Sequence, residues 1–297
     1  MFNSLVYQDE DKARVALEAI RWPDGPICPH CGNCEGIYTI QGKSTRKGLY
    51  KCAECRKPFT VTVGTLFERS HIPLNKWLHA VHLLCASKKG MSSHQIHRML
   101  EVTYKTAWFM THRIREAMKD PKFTSMLGGG GKIVEIDETY WGNKSDKPRN
   151  HRGMNHKEKI FSLVERGGQI RSFHVESVKG STLKPILFEQ IAQDTHIVSD
   201  DFGCYRDLNL YFAEHSIVNH QAHEYARGRI YTNTVENYYS ILKRGLRGVY
   251  QHVGKQHLRR YVGEFDFRYN TRDLTDKQRT ALALQGISGK RLLYTKA

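Results

Sequence analysis

The sequence has no long hydrophobic run. No segment approaches the roughly 18 consecutive apolar residues of a transmembrane helix, so we expect no membrane contact. The start also lacks the basic and apolar regions of a secretory signal peptide. Acidic residues are scarce, because 30 Asp and Glu stand against 46 Lys and Arg, a formal net charge of +16. These absences exclude a membrane channel and indicate a cytoplasmic protein that binds a polyanion, most simply nucleic acid.

The cysteines do not form an even set. There are seven, and four of them lie in the two Cys-x-x-Cys motifs CPHC and CAEC, which disfavours a disulfide framework. Two such turns can present four thiolates to one Zn²⁺, and a redox pair would leave the second motif unexplained. The sequence therefore predicts a structural zinc ribbon, although Cys34 could replace one ligand. The predicted zinc ligands are Cys28, Cys31, Cys52 and Cys55.

A run of four glycines, Gly128–Gly131, is the clearest boundary, and because it suits neither a helix nor a strand it is a linker or a wide turn. Cysteine-rich and helical patterns precede it, and a strand-rich pattern follows it. The segment after Asp273 is either a dimer contact or a frayed end. The predicted domains are an N-terminal helix at 1–26, a zinc ribbon at 27–62, a helical region at 63–127, a glycine linker at 128–131, an α/β domain at 132–272 and a C-terminal tail at 273–297.

The helical region has the pattern of a helix-turn-helix. Apolar spacing over residues 92–118 predicts two helices broken near Glu101–Thr103. In a DNA-binding version, Lys105 and Arg115 of the second helix would reach a groove or a phosphate. The alternative is an ordinary helical hairpin packed on the ribbon.

Three acids occupy notable places in the second half. Asp137 ends one predicted apolar strand, Asp200 follows another, and Glu236 lies on a predicted helix. A carboxylate in such a place has a desolvation cost unless a cation neutralises it. Three converging carboxylates suit two Mg²⁺ or Mn²⁺ ions, which can activate the cleavage of a phosphodiester. The neighbouring acids that could take one of these roles instead are Glu135, Glu138 and Asp201.

The predicted strand order supports the same site. Three strands, a helix, a strand, a short helix, a strand and two helices follow the glycines. This is the order of a ribonuclease-H-like mixed sheet, in which acids at these three places meet at one end of the sheet. Lys243 lies two turns after Glu236 on one helix face and could hold a phosphate, with Arg244 and Arg247 extending the basic edge. The alternative is a solvated basic face.

Seven motifs occur in this order along the chain: CPHC…CAEC, KTAWFMTHRIREAM, IDETYWG, SDDFGCY, NHQAHEYARG, NTVENYYSILKRGLRGVYQHV and HLRRYVGEFDFRYNTR. Together they resemble the DDE transposases of bacterial insertion sequences, in particular the insertion-sequence fifteen-ninety-five family. The resemblance implies an α/β fold class, with a ribonuclease-H-like mixed-sheet catalytic domain preceded by a zinc ribbon and a helix-turn-helix-like region. It implies that Asp137, Asp200 and Glu236 are catalytic and that Lys243 is an accessory DNA contact. It selects Asp200 over Asp201, because Tyr205 follows at the family's spacing.

The resemblance also implies the reaction. Such a protein would bind the terminal inverted repeats of double-stranded DNA, hydrolyse a phosphodiester at each element end, and join the 3′-hydroxyls to target DNA. It would act as a homodimer or larger assembly on DNA, in the cytoplasm and on the nucleoid. Two alternatives stand beside it: a catalytically inert zinc-ribbon regulator, and a nuclease of the same fold that cuts without joining.

Overall fold

The chain forms two compact units. One lies within residues 1–119 and 273–297, and the other lies within residues 120–272, so the second interrupts the first in sequence. Over the described part of the chain, no helix has the length and apolar character that crossing a bilayer would require. The computed structural model describes residues 5–119, 125–142, 156–219 and 226–293.

The strands of the first unit have two or three residues, and those of the second unit have five to nine; both units also contain helices. The predicted helix between the last two strands is replaced by two 3₁₀ turns, Gly203–Tyr205 and Leu208–Leu210. In chain order the elements are α1 (Leu5–Gln8), α2 (Glu10–Arg21), β1 (Ile37–Thr39), β2 (Tyr50–Cys52), β3 (Pro58–Phe59), α3 (Leu74–Ala86), α4 (Ser93–Leu100), α5 (Tyr104–Met118), β4 (Ile133–Trp141), β5 (Glu158–Glu165), β6 (Ile170–Val175), α6 (Gly180–Gln190), β7 (His196–Asp200), β8 (Glu214–Val218), α7 (Asn233–Gly245), α8 (Lys255–Asn270) and α9 (Asp276–Gln285).

The ribbon of the first unit is a three-stranded antiparallel sheet in the order β1-β2-β3. Its aromatic face packs on the end of α2, where the Trp22 ring meets the rings of Tyr50 and Phe59 edge-on at 5.6 and 5.9 Å. Asp9 caps the start of helix α2, and its carboxylate accepts the Lys12 N–H. A sheet this small buries little apolar surface, so these aromatic contacts and its cysteines must hold it together.

Helices α4 and α5 are joined by a tight turn, as the apolar spacing predicted. Glu101 takes the left-handed conformation that ends α4, and Thr103 caps α5 by accepting the Thr106 N–H. Lys105 is exposed in the first turn of α5. Arg115 is 0% exposed and donates to Thr111 Oγ1 at 3.2 Å, so the prediction that it contacts DNA is wrong. The second half of α5 is buried around most of its circumference, and its apolar periodicity could not show this.

The segment after Asp273 is folded within the first unit. Helix α9 begins with a capping box in which Thr275 and Gln278 bond each other's backbone N–H groups. Arg279 donates to the Cys85 carbonyl at 2.8 Å, and the Leu66 N–H donates to the Ile287 carbonyl at 3.1 Å. The described part of the predicted tail therefore contains a helix that is integral to the first unit, and it is not a frayed end.

The second unit is built on a five-stranded mixed sheet in the order β6-β5-β4-β7-β8. The pairs β6/β5 and β5/β4 are antiparallel, while β4/β7 and β7/β8 are parallel. Leu183 and Leu187 of α6 pack on one face of the sheet, and Val235 of α7 and Leu258 of α8 belong to a second core on the other face. This architecture confirms the mixed α/β part of the predicted fold class and fits the ribonuclease-H-like arrangement.

The glycine run is a fixed turn and not a linker. The Gly128 N–H donates to Glu165 Oε2 at 2.8 Å, and the Gly129 N–H donates to Thr195 Oγ1 at 2.9 Å. Gly128 has a φ of +81°, and a Cβ there would lie 2.1 Å from Thr195 Oγ1, so only glycine fits. These residues lie inside the second unit, and the predicted linker at 128–131 is corrected accordingly.

Asp266 of α8 fastens that helix to the sheet. Its Oδ2 accepts the Ser172 N–H at 2.8 Å, and its Oδ1 accepts the hydroxyls of Ser172 at 2.8 Å and Tyr238 at 2.5 Å. Burial raises the pKa of Asp266 to about 6, against these hydrogen bonds, which lower it. Folding thus favours the protonated form of Asp266 more than the unfolded chain does. Keeping this carboxylate ionised near neutral pH therefore lowers the stability of the folded chain.

We expect the stability of wild type relative to an Asp266→Asn variant to rise by about 2 kcal/mol as the pH falls from 7 to 4.5. The folded pKa of about 6 exceeds the ordinary value of 3.8, so the folded chain binds more protons between these values. This gain begins as the pH falls through 6 and is complete below 3.8. Urea unfolding of both proteins at both pH values measures it, and a pH-independent difference would contradict it.

Candidate active site and metal centre

The two Cys-x-x-Cys motifs form matching knuckles. The residue after each motif, Gly32 or Arg56, has a positive φ of 79° or 58°. The N–H groups of Cys28 and Cys52 each donate to the carbonyl oxygen five residues later, at 2.9 and 3.3 Å. Burial would raise the pKa of Cys28, but nearby backbone N–H groups and thiols lower it to about 7. Each knuckle therefore turns its two sulfurs toward the same point.

The four sulfurs have the spacing of a tetrahedral zinc site. Cys28 Sγ lies 3.6 Å from Cys55 Sγ, Cys31 Sγ lies 3.7 Å from Cys52 Sγ, and all four atoms lie within 4.8 Å of one another. A tetrahedron with Zn–S bonds of about 2.3 Å separates its sulfurs by about 3.8 Å. The donor set therefore fits Zn²⁺. Cys34 is exposed and lies outside the cluster, so it does not replace a ligand.

Strand pairing sets the position of Asp137. The sequence had indicated that Asp137 ends its strand. Strand β4 instead continues to Trp141, so Asp137 lies in its middle. However, β4 pairs with β7 only over Ile133–Glu135, whereas its pairing with β5 continues to Trp141. Asp137 therefore lies where β4 runs past its parallel neighbour. Asp200, the last residue of β7, lies at the same step of the sheet.

Alternation along β4 directs its acids to opposite faces. Val134 and Ile136 belong to the core under α6, so Glu135 and Asp137 face α7. The Tyr239 hydroxyl of α7 donates to the Asp137 carbonyl oxygen at 2.5 Å. Glu236 lies in the first turn of the same helix. Strands β4 and β7 and helix α7 thus bring Asp137, Asp200 and Glu236 to one place.

The charges of these acids act on one another. Burial raises the pKa of Asp137 well above its usual range, and the negative charges of Glu138, Asp200 and Glu236 raise it further. Burial also raises the pKa of Glu138 to about 7; the charge of Asp200 adds to this, while the Tyr205 hydroxyl, which donates to Glu138 Oε2 at 2.6 Å, lowers it. The result is a concentration of negative charge that favours a bound cation.

The carboxylates fit a hard divalent ion. They are near neighbours and not a closed cage, since within the described ranges the four cysteines form the one group of three or more candidate ligand atoms that converge within 4.8 Å. Their donor atoms are all oxygens, the ligands that Mg²⁺ and Mn²⁺ prefer. A divalent ion would remove the like-charge repulsion that raises the pKa of Asp137. Asp137, Asp200 and Glu236 are the residues that would hold it.

Lys243 lies near Asp137 of this acidic cluster, and Arg244 and Arg247 follow it in the chain. Burial lowers the pKa of Lys243, and the nearby charges of Arg247 and Lys157 act in the same direction, while Asp137 opposes them. Lys243 is half-buried, whereas Arg244 and Arg247 are exposed. The structure thus brings Lys243 to the predicted site and leaves the two arginines at the surface.

Several side chains around the acids make contacts that the sequence did not indicate. Glu135 is fully buried against α7 and therefore does not take the role of Asp137. Arg166 lies in the β5–β6 turn and bonds to Glu135, and Thr232 bonds to Glu236. The two-residue spacing of Glu135 and Asp137 in an apolar strand was the available signal for a second inward carboxylate. Nothing local in the sequence indicated Arg166.

Two family models match this chain. An ISXO2-like transposase domain matches residues 126–270, and a transposase zinc-ribbon domain matches residues 8–58. Both matched domains are those of transposases, and together they cover residues 8–58 and 126–270 of the chain. The first match contains all three acids and Lys243, and the second contains all four cysteines, so the two sites lie inside the two matched domains.

Two curated relatives agree with this assignment. The transposase is 28% identical over 278 residues to an uncharacterized protein in transposable element ISH50 of Halobacterium salinarum, covering 88% of this chain and 91% of the relative. It is also 28% identical over 115 residues to an uncharacterized transposase-like protein of Haemophilus influenzae, covering 39% of this chain and 90% of the relative. These matches support a transposase role.

A solved structure is also similar over part of its length. It is a simian T-cell lymphotropic virus intasome in complex with PP2A regulatory subunit B56 gamma. One chain of that complex is 14% identical to this chain, with a TM-score of 0.26, and the match covers 65% of this chain and 63% of the other. A TM-score this low carries no conclusion about the fold.

Proposed function

We propose that the transposase binds the terminal inverted repeats of its element, hydrolyses a phosphodiester at each end, and joins the resulting 3′-hydroxyls to target DNA. One observation carries the proposal: Asp137, Asp200 and Glu236 interact electrostatically where β4 runs past β7 and α7 begins. A protein that only bound DNA would gain nothing from acids beside its basic surface, since they repel phosphate.

The residues of the site have distinct roles. Asp137, Asp200 and Glu236 would hold Mg²⁺ or Mn²⁺, which when bound would activate the attacking hydroxyl and stabilise the leaving oxygen. The Tyr239 hydroxyl fixes the backbone of Asp137 and so the direction of its carboxylate. Lys243 remains close enough to Asp137 to hold a phosphate of the scissile strand beside the acids.

The remaining basic residues serve DNA binding. Exposed Arg244 lies near the end of α7 and exposed Arg247 lies just after it, while exposed Lys105 lies in the first turn of α5 in the first unit. We propose that these three side chains bind phosphates and so contribute affinity that falls with salt. The helix-turn-helix role of α4 and α5 is part of this proposal and excludes Arg115. Two element ends must react together, so we propose a homodimer or larger assembly on DNA, acting on the nucleoid in the cytoplasm.

A strand-transfer assay tests the function. The substrate is a pre-cleaved duplex that carries the inverted repeat bracketing the coding sequence, incubated with supercoiled target plasmid and Mg²⁺. We expect joined products, and hydrolysis of an uncleaved duplex at the repeat boundary. Cutting without joining would overturn the proposal in favour of a nuclease, and binding without either reaction would overturn it in favour of a regulator. A scrambled repeat of equal length is the control for specific recognition.

A further inference from the structure

The N-terminus of α7 is capped by a side chain from the sheet. The N–H groups of the first helical turn have no partner within a helix, and a Ser, Thr, Asp or Asn at the N-cap normally accepts one. The N-cap residue here is Thr232, and its side chain makes no such bond. Instead Glu135 Oε2 accepts the N–H groups of Thr234 at 2.8 Å and Val235 at 3.0 Å, while Glu135 Oε1 accepts the Thr234 hydroxyl at 2.8 Å.

Arg166 holds Glu135 in place. Its Nε donates to Glu135 Oε1 at 2.6 Å, and the Glu135 side chain is 0% exposed. The two ends of its guanidinium donate to the carbonyl oxygens of Arg229 at 2.5 Å and Tyr231 at 2.6 Å, and the guanidinium lies 3.6 Å from the centre of the Tyr231 ring. This buried ion pair therefore fixes both the start of α7 and the loop that leads into it.

The external cap changes what Thr232 does. Because Glu135 accepts the N–H groups of the first turn, the Thr232 hydroxyl can bond elsewhere, and it donates to Glu236 Oε1 at 2.7 Å. Thr232 is 2% exposed, so this bond is shielded from water although Glu236 itself is exposed. Glu135 lies two residues before Asp137 on the same face of β4. One strand thus supplies Asp137 and fixes the helix that supplies Glu236.

We propose that Glu135 and Thr232 are positioning residues for Glu236: Glu135 fixes the register of α7 on β4, and Thr232 orients the Glu236 carboxylate. This proposal rests on the proposed function in that Glu236 is taken to hold the catalytic ion. The carboxylate stands on a surface side chain with several rotatable bonds, so a fixed direction requires such support. Neither residue is proposed to touch DNA or the ion.

The decisive measurements use the full zinc-loaded chain and Mn²⁺ alone. We expect Thr232→Val to weaken Mn²⁺ binding, measured by calorimetry, and to slow single-turnover strand transfer, each by about 10-fold. Its affinity for end DNA should stay unchanged. Thr232→Ser keeps the hydroxyl and is the matched control, expected to lie within about twofold of wild type. Glu135→Ala should lower the rate by on the order of 100-fold, because it releases the helix start as well.

Hydrogen exchange separates the two roles without any activity. In Glu135→Ala, the amides of Thr234 and Val235 should exchange at least about 10-fold faster, because their acceptor is gone. In Thr232→Val they should exchange as in wild type. Unchanged exchange in Glu135→Ala would overturn the capping role.

A double-mutant comparison separates positioning from general damage. In a Glu236→Ala background, Thr232→Val should cause no further loss of Mn²⁺ affinity, because it acts through the missing carboxylate. Equal losses in both backgrounds would show structural damage only and would overturn the proposal. If Glu236→Ala abolishes joining while Thr232→Val and Glu135→Ala join like wild type, the positioning proposal fails and the proposed function stands. If Glu236→Ala itself joins normally, the proposed role of Glu236 fails, and the positioning proposal fails with it.

Discussion

An Asp137→Asn variant should lose both hydrolysis and joining by at least about 10³-fold while binding end DNA as tightly as wild type. Asn has nearly the same shape and keeps an oxygen that can accept the Glu138 N–H, the bond that Asp137 Oδ1 now accepts at 2.7 Å. The change therefore removes charge and little else. Because burial and three neighbouring carboxylates already raise the pKa of Asp137, losing that charge should not destabilise the fold. Single-turnover strand transfer and fluorescence anisotropy with labelled end DNA measure the two properties.

Asp201→Asn is the matched control for this prediction. Asp201 lies next to Asp200 in the chain, whereas the neighbouring charges that raise the pKa of Asp137 are those of Glu138, Asp200 and Glu236. We expect its joining rate to stay within about threefold of wild type, the size of effect that a surface charge at some distance from the ions produces. Activity that survives Asp137→Asn but is lost in Asp201→Asn would show that the site is assigned to the wrong acids.

Local patterns were enough to predict the architecture of the second unit. Short strand-like segments rich in apolar residues marked β4, β5 and β6, and Gly167–Gly168 marked the turn between β5 and β6, because such signals depend on neighbours in sequence. The same holds for the two knuckles, whose spacing alone identifies the ligands. The sequence predicted Asp137 as a candidate because it was expected to end its strand, but the strand continues past it. Asp137 lies at a boundary because β7 ends there, which is a property of the partner strand and not of the Asp137 segment.

The parts that could not be predicted depend on distant partners. Glu135 bonds to Arg166, which is 31 residues away in sequence, and to two N–H groups of α7, which are 99 and 100 residues away. Arg115 has an ordinary place in an amphipathic pattern, and its burial follows from packing on more than one side of α5. The glycine run could be taken for a linker because composition shows conformational freedom but not the bonds from Glu165 and Thr195 that remove it.

A Cys52→Ser variant should lose its zinc and the fold of the ribbon. Cys52 is 0% exposed at the end of β2, two residues from Tyr50, whose ring packs on Trp22. Zinc binding contributes about 10–16 kcal/mol to folding in small structural sites, far more than three short strands can supply by burial. We expect the zinc content to fall from about one per chain to near zero, and end-DNA affinity to fall by about 10²-fold if the ribbon contributes several phosphate contacts. A chromophoric chelator and near-ultraviolet circular dichroism measure metal content and aromatic packing.

Cys34→Ser separates loss of a ligand from loss of a thiol. Cys34 follows the first motif closely and was the alternative ligand that the sequence offered. It is exposed and lies outside the four-sulfur cluster. It should keep one zinc per chain and wild-type affinity for DNA, because serine at an exposed position changes little. If Cys52→Ser kept its zinc while Cys34→Ser lost it, the ligand set would be wrong. If both kept it, the metal would be held elsewhere, and the ribbon would owe its stability to the packing of Trp22, Tyr50 and Phe59 alone.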